Sequence, residues 1–157
     1  MIWEERKKQL EEEKQACENH LETLFHKFYQ AKPGEGVKLQ QEMTRVDRVL
    51  FTIDYLFLIN ENTTLGLSPD TRAFLGVLAN FAKDNPRGTI RVRDFVNKDA
   101  VGIKALINEA REKHVLEMRM QANTEFSGYI LRNDYANKHI TVLGNMEELK
   151  EIMRSPV

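Results

Sequence analysis

Leu39, Met43, Val46, Leu50, Ile53 and Phe57 follow one another at steps of four, three, four, three and four, an unbroken heptad seam along one side of a helix. A strand, whose side chains alternate with period two, has no use for that spacing. Upstream, residues 2–30 contain neither Gly nor Pro, and Trp3, Leu10, Cys17 and Leu24 recur every seven positions, with Leu21, Phe25 and Phe28 widening the stripe. The breaker cluster Lys32-Pro33-Gly34-Glu35-Gly36 separates the two runs. Helices joined by so short a link fold back as an antiparallel hairpin, so residues 1–60 read as a helical arm. Its first half is poor in apolar side chains, and pairs such as Glu4 with Lys8 support a helix only weakly, so that half needs a partner. The seam of Trp3, Leu10, Leu39, Met43, Val46, Leu50, Ile53 and Phe57 is longer than one short hairpin requires. It predicts a homodimer through the N-terminal helices, with a protein partner on the arm as the other use.

Length allows one domain, or a small domain plus this arm. Of the chain 41% is hydrophobic and 30% charged, with eight Gly and four Pro, as in a folded, helix-rich protein. Lys plus Arg (23) balance Asp plus Glu (24), so any basic surface must be local. The single Cys17 forms no intrachain disulfide and fits the seam as a small apolar filler; a reducing, cytoplasmic setting is expected. Met1-Ile2-Trp3-Glu4-Glu5-Arg6 runs straight into charge, so no secretory signal is expected. The run Val49 to Ile59 contains Thr52 and Asp54 and is about half the roughly 20 residues of a membrane span, so it predicts a buried helix and no membrane. His20, His26, His114 and His139 stand at no metal-binding spacing, and no nucleophile elbow, phosphate loop or dinucleotide fingerprint occurs. No catalytic residue, metal or cofactor is expected, and the chain is not read as an enzyme.

A second unit begins after the polar linker 61–67. Ser68-Pro69-Asp70-Thr71 supplies a cap, a proline at the first helical position and an early acid. Phe74, Leu75, Leu78, Phe81 and Ala82 form one helix face, ended by Asp84-Asn85-Pro86-Arg87-Gly88. Thr89 to Val92 alternates like a short strand, Arg93 to Asn97 allows one or two helical turns, and Asp99 caps a longer helix with Ile103, Leu106, Ile107 and Ala110 inward, to about Lys113. Leu116, Met118 and Met120 then alternate with polar residues, Ala122-Asn123-Thr124-Glu125 makes a tip, and Tyr129 to Arg132 returns. Residues 136–157 add a short strand, Ile140 to Leu143, and a last helix opened by a capping box of Asn145 and Glu148. Helix, short strand, short helix, longer helix and hairpin, over residues 68–135, is the order of a winged helix-turn-helix. The fold class expected is α+β, mostly α, with the helical hairpin first.

More specific is the local text: Leu67-Ser68-Pro69-Asp70-Thr71-Arg72-Ala73-Phe74-Leu75, then Ile90-Arg91-Val92-Arg93-Asp94-Phe95-Val96, then Asp99 through Ala110. It resembles the winged-helix domains of bacterial plasmid and phage replication proteins and related helix-turn-helix proteins, and Val115 to Arg119 with Phe126 to Leu131 looks like their wing. The resemblance spans about residues 68–132, with His114 where those domains usually place Gly. It implies a double-stranded DNA-binding protein, a transcription regulator or an accessory of replication or transfer.

Between Ser68 and Tyr135 eleven basic residues face nine acidic ones, and Arg87, Arg91, Arg93, Lys98 and Lys104 face only Asp94 and Asp99, a local excess of +3 where phosphate contacts are needed. On the outward face of the long helix, Lys104 suits guanine, Asn108 suits adenine, and Val101 and Ala105 suit thymine methyls. Arg111, Arg119, Asn123, Thr124 and Arg132 complete the expected DNA-binding set with Arg91, Arg93 and Lys98. Glu109 and Glu112 instead repel phosphate, which keeps open the alternative of a protein-interaction, assembly or inhibitor protein whose winged helix binds no DNA.

Overall fold

The computed structural model describes residues 2–121 and 125–156. The chain forms two compact units, Met1–Asp54 and Tyr55–Val157, and is α+β, mostly α. Helix α1 spans Trp3–Tyr29 and α2 spans Gly36–Glu61, so the division falls inside α2, a little before the expected end of the arm.

Within the first unit, Lys14 pairs with Asp54 at 2.9 Å and His20 with Glu42 at 3.3 Å; rising numbers on α1 meet falling numbers on α2, which is the antiparallel hairpin. Of the seam, Leu10, Val46 and Ile53 are fully buried, and Trp3, Leu39, Met43, Leu50 and Phe57 are half-buried. A single chain therefore already covers most of the stripe expected to serve a dimer. Among the described residues, the large apolar side chains left exposed on the arm are others: Ile2, Phe25, Tyr29 and Val37.

In the second unit, Asn62 caps a 3₁₀ turn, Thr63–Leu65, which closes at Gly66 with φ +63°, a left-handed conformation glycine adopts without a Cβ clash. Helix α3 (Pro69–Asp84) opens as its sequence specifies, with the Ser68 hydroxyl accepting from the Thr71 N–H. Strand β1 is only Thr89–Ile90, and the expected short helix is a single 3₁₀ turn, Val92–Asp94. Helix α4 (Ala100–Glu112) starts at Asp99, whose carboxylate accepts from the Gly102 N–H at 2.8 Å. Strands β2 (Leu116–Met120), β3 (Phe126–Asn133) and β4 (Lys138–Gly144) follow, then α5 (Met146–Arg154).

The sheet order is β1-β4-β3-β2, with β1 parallel to β4 and the other pairs antiparallel. The strand expected as an appendage beyond residue 135 is thus an inner strand, lying between β1 and the hairpin. Six residue pairs join β3 to β4 across that boundary, from Gly128↔Leu143 to Asn133↔Lys138. Helix α3 packs on α4 and β4, and α5 on β3 and α4, so three helices cover the sheet. Phe74, Leu75, Leu78, Ile90, Ile103, Ile107, Leu116, Tyr129 and Leu131 are out of solvent between them, each worth about 1.5–3 kcal/mol of transfer free energy. Tyr55 is fully buried and its hydroxyl donates to the Val115 carbonyl at 2.7 Å; burial raises its pKa far above the ordinary phenol value.

Helix α4 ends in a Schellman motif: the His114 N–H donates to the Arg111 carbonyl and the Val115 N–H to the Ala110 carbonyl, both at 3.1 Å. His114 carries φ +60°, so a side chain with a Cβ sits where glycine is unstrained. His114→Gly should stabilise the protein by about 0.5–1 kcal/mol. An unchanged or lower urea midpoint would contradict this.

Candidate functional site

Ile103, Ile107 and Ala110 on α4 are fully buried and Leu106 nearly so, which turns positions 101, 105, 108 and 112, steps of four, three and four, to the opposite side. Val101, Ala105, Asn108 and Glu112 are all exposed, with Arg111 beside them. Among the described residues, none pairs with Arg111 as an acidic partner. The outward face expected from the helical wheel is therefore uncovered, except at Lys104.

Lys104 is turned aside. Its ammonium donates to the backbone carbonyls of Met153 (3.2 Å) and Ser155 (2.7 Å), where the dipole of α5 leaves its negative end. Arg93 is engaged too: its guanidinium donates to both carboxylate oxygens of Glu151, at 3.1 and 3.0 Å. Lys98 pairs with Asp70 at 3.0 Å, and Arg119 donates to the Ser127 hydroxyl at 2.9 Å. Arg132 bonds Asp134 and Glu117, and those two acids, Asp134 first, raise its pKa. Arg91 is 61% exposed, with Nε 4.0 Å from Glu148. Asn123 and Thr124, expected at the wing tip, lie outside the described residues. Of the expected basic set, Arg93, Lys98, Lys104, Arg119 and Arg132 thus face partners within the chain.

Two acids that position this surface were not recognised from the sequence. Glu109, expected to repel phosphate, is half-buried; it accepts from the Ser68 N–H (3.1 Å) and hydroxyl (2.9 Å) and from the Thr71 hydroxyl, tying α4 to the start of α3. Glu148 was expected to close a capping box. Asn145 does accept from the Glu148 N–H at 3.0 Å, but the Glu148 carboxylate, almost fully buried, reaches the N–H groups of Val92 (2.7 Å) and Arg93 (3.1 Å). It holds the 3₁₀ turn that leads into α4. Its charge also adds to burial in raising the pKa of the Tyr129 phenol. In each case the sequence carries the local cap, Ser68 or Asn145, but not the distant partner: the Glu109 acceptor for Ser68 and Thr71, and the Val92 and Arg93 N–H donors for Glu148.

A second exposed surface lies at the turn of the arm. Phe25, Tyr29 and Val37 are exposed, and Val37 lines an open recess of about 460 Å³ together with Phe28, Lys32, Pro33 and Gln40. No described helix is long and apolar enough to cross a membrane, and no group of three His, Cys, Asp or Glu among the described residues suits a metal ion. Compared with protein-family models, curated proteins and solved structures, the chain matches none of them.

Proposed function

We propose that this chain is a non-enzymatic double-stranded DNA-binding protein, a regulator of transcription or an accessory of replication or transfer, that lays α4 in the major groove with the β2–β3 hairpin along the backbone. The observation that carries this reading is the uncovered α4 face, where Val101, Ala105 and Asn108 combine small size with one hydrogen-bonding amide. Exposed Arg87, Arg91 and Arg111 supply phosphate contacts, and Lys98 can exchange its exposed partner Asp70 for phosphate, because such pairs are worth only about 0–1 kcal/mol. A second copy joined through the arm would present two such faces to a palindromic site; the exposed Phe25, Tyr29 and Val37 are the apolar surface for that contact.

Ala105→Glu tests the reading. The position is exposed, so the melting temperature should stay within about 2 °C of wild type. Affinity for random-sequence duplex at low salt should fall at least about tenfold, and wild-type binding should weaken steeply as salt rises. Undiminished affinity in the variant would sink the proposal.

A second reading, in which the same region docks a protein, is favoured by Phe95, which is 58% exposed and packs edge-on against Phe81 at 6.2 Å, and by the engagement of Arg93 and Lys104 within the chain. Absence of wild-type binding to duplex at low salt would favour it.

A further inference from the structure

We infer that α4 selects A·T pairs and leaves guanine unread at the point of deepest entry; the inference rests on the DNA-binding reading above. Guanine offers two acceptors, N7 and O6, to the major groove, and a side chain that reads both must bring two donors, which Arg and Lys do. The lysine on this face is withdrawn: Lys104 is held by the Met153 and Ser155 carbonyls. Arg93, the last arginine before α4, directs its two terminal nitrogens to Glu151, while exposed Arg91 and the exchangeable Lys98 precede the α4 stripe and serve phosphate, which carries no sequence information.

The side chains left on the stripe are Val101, Ala105 and Asn108. Asn108 is a carboxamide with one acceptor oxygen and one NH₂ donor, the complement of adenine N6 and N7. Val101 and Ala105 end in methyl groups, the complement of the thymine C5-methyl. From position 101 to 108 a helix rises about 10 Å, or about three base pairs at 3.4 Å each. Arg111 and Glu112 follow toward the C-terminal end, which leaves the groove when a recognition helix enters by its N-terminal residues. Arg111 is thereby placed for phosphate, where it adds affinity without sequence information.

The test is fluorescence anisotropy of the full chain against equal-length duplexes at one salt concentration. The duplexes are A·T-rich, G·C-rich, A·T-rich with uracil replacing thymine, and A·T-rich with 7-deazaadenine replacing adenine. Wild type should prefer the A·T-rich duplex by at least about fivefold, and each base analogue should erase part of that preference. Asn108→Ala should become insensitive to 7-deazaadenine while keeping the response to uracil, and Arg111→Ala should weaken A·T-rich and G·C-rich binding equally. Equal affinity for the A·T-rich and G·C-rich duplexes, or indifference of wild type to both analogues, overturns the inference while leaving DNA binding intact. No binding to any duplex overturns the DNA-binding reading as well.

Discussion

Gly128→Ala should lower the stability of the C-terminal unit by about 3 kcal/mol, with a fall in melting temperature of about 10 °C. A Cβ at Gly128 would run into the Val142 carbonyl oxygen and lie 3.0 Å from the Leu143 Cα and 3.1 Å from the Gly144 N. All three obstacles are backbone of β4, so no rotamer change relieves the clash. Strands β3 and β4 would have to part at the Gly128↔Leu143 pair, beside the irregularity between Arg119 and Met120 in β2. A thermal melt of the purified variant reads this directly. A transition within 2 °C of wild type would show that the strands accommodate a methyl group there.

Glu148→Ala should cost about 2–4 kcal/mol by a different route. The substitution removes little apolar contact, but it strands the N–H groups of Val92 and Arg93, one of them on a fully buried residue, and takes away a charged acceptor from both. Glu148→Gln keeps one acceptor oxygen and should recover part of the loss. Amide hydrogen exchange at Val92 and Arg93 should accelerate in the alanine variant before exchange in α3 does, because the defect is local to the turn. Wild-type exchange at those two amides would rule out this role for the carboxylate.

What was legible in the sequence follows from how far apart the interacting residues lie. Ser68, Asp99 and Asn145 cap their helices through atoms within a few positions, and a local cap needs only local text. The buried stripe of α4 was legible because Ile103, Leu106, Ile107 and Ala110 repeat with the period of the helix itself. The partners of Glu109, Glu148 and Lys104 lie roughly forty to fifty-five positions away, and no periodicity announces them. Lys104 belongs to the outward stripe by spacing, yet the nearby end of α5 claims its ammonium, so spacing alone assigned it to guanine. The inner place of β4 was hidden for a related reason: a two-residue β1 has no alternation to reveal its neighbour.

The arrangement of that sheet sets a schedule for the growing polypeptide. Thr89 and Ile90 must wait for Leu143 and Gly144 before they find a neighbour, and the carbonyls that hold Lys104 come later still. A nascent chain that has completed α4 and the hairpin still lacks the strand between β1 and β3. Pairing of such separated segments closes slowly, since the intervening chain must be brought together first. Until residues 138–155 are in place, α4 lacks both the Glu148 carboxylate that holds the turn before it and the carbonyls that hold Lys104.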